Sequence, residues 1–348
     1  MLRSAEHVGN FYRKEAVMPR LSPIGQSVPL LPALPLIHRG KVRDTYGLPN
    51  GKRLVVASDR ISIFDFVLNA LVPGKGAVLT AMSHFFFRML ESHGIKTHLI
   101  AAGAAIDEHL PGYLHNRPEL HATGMVVKTV TVHPVEFIAR GYLTGSGLKE
   151  YRESGTVCGI SLPMGLEDGD ELPEAIATPT TKSEEGHDTP LDAVWVAMKY
   201  PWATERLLVA YQIASAFAKG RGVIIADTKL EFGEDEPGNT ILADEAFTPD
   251  SSRFWDASAH RESRKTSPRK PPPPFDKQFV REWGKTVGIN KLDPEKLEDV
   301  THVHSLQVPG ELIQRTQSLY LQIFERMIGM RLEKYQSSEL GIAVPSAT

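Results

Sequence analysis

Apolar and polar positions follow the two-residue period of β-structure in two long blocks of this chain, and the helical period between and after them. The first block opens at Leu36, with a turn at Arg39-Gly40-Lys41, the strand VRDTY, a turn at Leu48-Pro49-Asn50-Gly51, and the strand KRLVVAS from Lys52 to Ser58. Asn50-Gly51 is a strong hairpin signal, because both residues tolerate the positive φ that a tight two-residue turn requires. Met82, Phe85, Phe86, Met89 and Leu90 then recur at helical spacing and predict a helix over 80–93, stopped by Gly94, with its aromatic stripe in the core. The second block, MVVKTVTVHPVEFIARGYL, begins at Met125. Helices are predicted over Glu205–Lys219, with Thr204 as N-cap, then over Asp276–Trp283 and, as one packed terminal helix, over Gly310–Lys334. Runs of strands mixed with helices predict an α+β fold.

Composition shifts divide the chain. Residues 1–35 read as a loosely attached leader, and Pro29, Pro32 and Pro35 exclude a continuous helix through VPLLPALPLI. From Ala257 to Pro274 the text turns to Arg, Lys, Ser and Pro and ends in four prolines, which predicts an exposed loop or linker. The expected units are the leader, 36–124, 125–260, a basic proline-rich loop at 261–274 and a helical segment at 275–348, with no internal repeat. With 348 residues, 41% hydrophobic and 23% charged, the chain has material for two packed units. A net charge of -3 gives no reason to expect nucleic acid or an anionic membrane as partner. The single cysteine, Cys158, excludes an intramolecular disulfide; it lies in TVCGIS, which reads as a strand holding a buried, inert thiol. No apolar run approaches the roughly 20 residues that span a bilayer. The first residues mix basic groups with Glu6 and Glu15 and lack a signal-peptide core, so a cytoplasmic location is expected.

The chemistry concentrates in GVIIADTKLEFG, from Gly222 to Gly233. Asp227, Lys229 and Glu231 are two residues apart and share one face of a strand. A turn at Glu236-Pro237-Gly238-Asn239 leads into ILADEAF, Ile241 to Phe247, and a hairpin centred on Pro237-Gly238 sets Glu231 opposite Asp244. Opposed carboxylates have Cβ atoms roughly 5 Å apart, a cost that a hard cation such as Mg²⁺ converts into a site with positions left for water and phosphate. The same spacing also fits a solvated hairpin. Gly40-Lys41-Val42-Arg43-Asp44 and Gly74-Lys75-Gly76 are phosphate-covering loops or simple turns; no Walker loop and no GxGxxG opening a helix is present. Arg140 to Gly147 supplies glycine amides, Thr144, Ser146 and a guanidinium, the inventory for a phosphate, and equally a solvent loop. TPTTKSEEGHD, Thr178 to Asp188, is dense in polar groups, with His187 a base or a surface histidine. TPDSSR, Thr248 to Arg253, adds a carboxylate, hydroxyls and a guanidinium at the mouth of the hairpin.

Together GKVRDTY, SDRISIFD, EFIARGYLTGSGLKEY, TPTTKSEEGHD, GVIIADTKLEFG, LADEAFTPDSSRFW and FDKQFVREW resemble, in order, the motifs of the SAICAR synthetase family, from about Ile37 to Trp283. The resemblance implies a two-lobed, kinase-like or ATP-grasp-like fold with ATP between the lobes. It implies ATP-dependent condensation of carboxyaminoimidazole ribonucleotide with L-aspartate, releasing ADP and phosphate with Mg²⁺. Carried over by motif, Lys41, Arg43 and Lys128 lie near ATP, and Glu231 and Asp244 hold Mg²⁺. Lys229, with Asp227, serves the chemistry. Arg140, Ser146 and Lys182, then Asp250, Ser252 and Arg253, hold substrate, as do Asp59, Arg60 and Asp65. Leu148, Ala175, Ala177 and Thr189-Pro190 depart from the family's pattern. The competing classes are a small-molecule kinase, which needs an acceptor hydroxyl and a catalytic Asp, and a non-catalytic nucleotide-binding module. Aspartate-dependent ADP formation separates both from a ligase.

Overall fold

The computed structural model describes Leu31 and residues 34–182, 189–266 and 268–343; the segment with His187 and nearly all of the leader lie outside the described residues. Its first half is β1 (Leu36–Arg39), β2 (Arg43–Gly47), β3 (Arg53–Ala57), β4 (Arg60–Ile63), β5 (Phe66–Leu71), α1 (Lys75–Ser92), β6 (Leu99–Ala102), α2 (Pro118–Thr123) and β7 (Gly124–Val127). The first sheet is antiparallel, in the order β1-β2-β3-β7-β6, while β4 and β5 form a separate hairpin. A division at residue 125 would cut through β7, which pairs with β3 and β6. Leu31 and Leu34 are buried against this sheet, so the packed chain begins before residue 36.

Helix α1 starts at Lys75 rather than Thr80. Gly74 takes φ +77 at its head, and the Asp59 carboxylate accepts hydrogen bonds from Gly74 N at 3.1 Å and Gly76 N at 2.9 Å. A cap delivered from another segment satisfies first-turn amides that a local residue usually serves. The aromatic stripe is core as expected, with Met82, Phe86 and Leu90 fully buried.

The second half runs β8 (Thr131–Val132), β9 (Val135–Tyr142), α3 (Gly145–Ser154), β10 (Thr156–Val157), β11 (Ile160–Ser161), β12 (Glu171–Ala177), β13 (Thr180–Thr181), α4 (Ala193–Lys199), α5 (Pro201–Gly220), β14 (Val223–Glu234), β15 (Thr240–Ala243), β16 (Ser252–Asp256) and α6 (Ala257–Ser263). Strand β14 is the axis of the second sheet and pairs with β9, β15, β16 and β8. Helix α5 begins at Pro201, ahead of the expected Thr204 cap, and lies on this sheet through Leu207, Ala210 and Ala214, all fully buried. The TVCGIS segment is a hairpin turn rather than one strand, with Cys158 at φ +51 and Gly159 at φ +80. Its thiol is buried as expected, and burial together with Glu150 pushes it up to about 11.

The C-terminal helices are α7 (Gln278–Thr286), α8 (Leu297–Ser305), α9 (Gly310–Ile328) and α10 (Leu332–Ser338). Gly329, at φ +82, breaks the single terminal helix expected over Gly310–Lys334 into α9 and α10. The largest core cluster joins both sheets to these helices through Val55, Met82, Phe137, Leu207, Phe232 and Phe324. A parallel bridge of Thr97 with Leu242, and the bond from His98 N to Leu242 O, tie the first sheet to the second.

The stretch read as a loop from Ala257 begins as α6, capped by the Asp256 carboxylate, with His260 buried and stacked on Trp255. Beyond it Arg264 and Arg269 tie the stretch to the segment ahead of β12. Arg264 Nη1 donates to Asp168 O at 2.8 Å and to Asp170 at 3.0 Å, and Arg269 also reaches Asp170. Arg264→Ala is therefore expected to cost about 1–3 kcal/mol, a fall in Tm of several degrees. An unchanged melting temperature would restore the loose-linker interpretation.

Candidate active site

Alternation along β14 builds the site. Thr228, Leu230 and Phe232 are buried on the face beneath, which leaves Asp227, Lys229 and Glu231 together on the other. Each charge meets an opposite one. Asp227 is in register with Arg140 of β9 on one side and Arg253 of β16 on the other, at 2.7 Å and 3.2 Å. Lys229 Nζ lies 2.5 Å from Glu136, and Lys182 Nζ lies 2.5 Å from Glu231.

The Glu231–Asp244 pairing needs one correction: Glu231 pairs with Ala243, not Asp244. The turn closes through Asp235 N to Asn239 O and Asn239 N to the Asp235 carboxylate, which centres it on Pro237 and moves the register by one residue. β15 then ends at Ala243, so ILADEAF is not one strand, and Asp244 leaves it at φ +60. The two carboxylates remain electrostatic neighbours. Burial and Asp244 raise the pKa of Glu231 against the pull of Lys182, whereas burial of Asp244 is outweighed by Arg43, Lys182 and His98, which hold its carboxyl below the ordinary range. Lys229 stays charged: Glu136 and Glu231 outweigh its burial and raise its pKa.

At the edge facing the first sheet, Arg43 Nη1 is 3.4 Å from Asp244 and its other nitrogen donates to Glu245. Lys41 pairs with Asp65, which stands at φ +66 in the β4–β5 turn. Arg60 is buried against Asp44 at 2.6 Å, and Asp59 caps α1. Exposed Lys128 follows β7, and its amide donates to His98 O at 2.8 Å.

On the other side, Arg140 also donates to Thr178 Oγ1 at 2.8 Å and to Ser146 Oγ at 3.1 Å. Ser146 sits in the first turn of α3, where a solvent loop was the alternative. These residues line a cleft of about 260 Å³ together with Lys149, Glu150 and Thr180. Ser252 is turned away from the charged face, its hydroxyl 2.8 Å from that of Thr228. Asp250 is enclosed among Lys75, Lys277 and Tyr320.

Sequence patterns missed Glu245, the partner of Arg43, although it adjoins Asp244. They also missed His98, a buried ring beside Asp244 and Arg43 that burial lowers to about 4. A histidine just ahead of an apolar strand carries no local signal of that contact.

A sheet face with alternating fixed charges, bordered by two neighbouring carboxylates and by guanidinium groups, is equipped to hold polyanions and neutralise charge in phosphoryl transfer. That places the protein among nucleotide-dependent enzymes of α+β fold. The SAICAR synthetase family model matches residues 36–296. The phosphoribosylaminoimidazole-succinocarboxamide synthase of Thioalkalivibrio sulfidiphilus is 42% identical over 305 residues, covering 86% of this chain and 96% of that protein. Its counterpart in Corynebacterium diphtheriae is 43% identical over 303 residues, covering 85% and 94%. The solved SAICAR synthase from Saccharomyces cerevisiae, complexed with SAICAR, superposes with a TM-score of 0.72 at 35% identity, over 86% of this chain and 96% of that one. A type-2 SAICAR synthetase in complex with ADP gives 0.57 at 25% identity, over 84% and 98%. The chain belongs to the SAICAR synthetase family, whose members are C–N bond-forming ligases of purine biosynthesis.

Proposed function

We propose that this chain joins carboxyaminoimidazole ribonucleotide to L-aspartate at the expense of ATP, giving SAICAR, ADP and phosphate in the cytoplasm. Identity of 42% over nearly the whole of a named synthase carries this reading. The charged face of β14 supports it independently, because the reaction must neutralise a carboxylate and a polyphosphate in one place. Among the described residues no helix is long and apolar enough to cross a membrane.

In the proposed site, ATP lies between the two sheets, with Lys41, Arg43 and Lys128 on its side. Glu231 and Asp244 suit Mg²⁺: they are two carboxylates close enough for the charge of Asp244 to act on Glu231. Two carboxylates, with waters and phosphate oxygens completing the shell, is how Mg²⁺ is usually held beside a nucleotide. When bound, the ion would polarise phosphate oxygens and screen their charge.

The chain's own residues supply the rest. A free carboxylate resists attack by an amine, so the substrate carboxylate takes the γ-phosphoryl group and ADP departs. The aspartate amine then displaces phosphate to form the amide. Lys229, kept charged by Glu136 and Glu231, faces the transferring group. Asp227 fixes Arg140 and Arg253, which with Ser146 and Lys182 bind the ribonucleotide.

The test is ADP release with each substrate omitted in turn. Release is expected only when ATP, ribonucleotide and aspartate are all present. Release independent of aspartate would favour a small-molecule kinase.

A further inference from the structure

The Asp250 carboxylate is sealed inside the protein. Oδ2 accepts from Lys75 Nζ at 2.5 Å, Oδ1 accepts from the Tyr320 hydroxyl at 2.6 Å, and Lys277 Nζ stands 3.3 Å from Oδ1. The side chains of Asp250, Lys75 and Lys277 are 4%, 0% and 8% exposed, which leaves no room for a substrate atom among them. Lys75 comes from the first turn of α1, Lys277 from the segment before α7 and Tyr320 from α9.

Two ammonium groups on one buried carboxylate are a poor way to gain stability, since well-packed apolar side chains usually do as well. Burial and Lys75, working against Asp250, push Lys277 down to about 8. The knot sits on a turn that is hydrogen-bonded to the site. Asp250 N donates to Thr248 Oγ1 at 3.2 Å, and Ser252 N donates to Thr248 O at 2.8 Å. The next carbonyl, Ser251 O, accepts from Lys229 N at 2.8 Å. Two residues further on, Arg253 meets Asp227. Thr248 Oγ1 also donates to Glu245, the partner of Arg43.

We propose that Asp250 is a positioning residue and not a substrate ligand: with Lys75, Lys277 and Tyr320 it locks the Thr248–Ser251 turn, which sets the backbone of Lys229 and the start of the strand presenting Arg253. The kinetic part of this proposal rests on the ligase reaction above.

The experiment measures ADP release and thermal melting for Asp250→Asn, Lys75→Met and the double variant. Asp250→Asn is expected to lower kcat about tenfold or more, while KM for the ribonucleotide stays within about twofold. Adding Lys75→Met should recover part of the lost turnover, because it removes the ammonium left unpaired in a place no substrate reaches. A large rise in KM with kcat preserved would make Asp250 a substrate ligand and overturn the proposal. So would a lower Tm with unchanged kcat per folded molecule, or losses that simply add. If Asp250→Asn does not fold, Tyr320→Phe removes one hydrogen bond only; kcat should fall about two- to fivefold at constant KM, and an unchanged kcat overturns the positioning role. Failure of the reaction assignment is recognised separately, by wild-type protein that releases no ADP in response to aspartate.

Discussion

Lys229→Met should lower turnover by about a hundred- to a thousandfold, the usual cost of losing a fixed group that stabilises charge in the transition state. The substitution keeps most of the side chain's length and its packing on β14. Glu136 retains a hydrogen bond from Thr180 at 3.3 Å, so the carboxylate is not stranded. Loss of the ammonium should appear chiefly in kcat, because the proposed site leaves Arg140, Arg253 and Arg43 to hold the substrates' anionic groups in the ground state. The measurement is steady-state kinetics for all three substrates, with a melting curve to establish that the variant is folded. A decrease of less than about threefold, in a folded variant, would remove Lys229 from the chemistry.

Asp244→Asn should raise the Mg²⁺ concentration needed for half-maximal activity by about tenfold or more, since half of the proposed carboxylate pair loses its charge. Asparagine tolerates the left-handed backbone that Asp244 adopts at φ +60, so the turn should survive. Arg43 keeps its bond to Glu245. Glu231, relieved of its like-charged neighbour, should titrate lower than in the parent. A second readout is independent of turnover: MgATP should raise the melting temperature of the variant less than that of the parent, because the stabilisation tracks affinity. An unaltered Mg²⁺ requirement together with an unaltered thermal shift would dismiss Asp244 as a ligand.

The charged face of β14 was legible because strand periodicity is a local property: residues two apart share a face whatever the rest of the chain does. The pairing across the hairpin was legible only to within one residue. Whether such a turn centres on Pro237 or between Pro237 and Gly238 is decided by the Asp235–Asn239 bonds, and a one-residue slip changes every partner. Helix α3 was hidden by Gly145 and Gly147, poor helix formers, whose small size admits the Arg253 and Arg140 side chains beside them. Asp250 was assigned to substrate by its motif. Its partners Lys75 and Tyr320 lie 175 and 70 positions away, and no local pattern reports contacts of that range. His98 escaped for the same reason.

The hairpin turn at Cys158 gives this enzyme a built-in chemical probe. The only thiol in the chain borders the cleft that holds Arg140 and Ser146, yet it is buried and its ionisation is suppressed to about 11. A thiol reagent can therefore act only during excursions that expose this corner, and labelling under native conditions reads the free energy of that local opening. Because a ligand that binds only the closed form must slow the excursion, occupancy of the cleft becomes measurable from one sulfur atom, without turnover and without a second cysteine to confuse the signal.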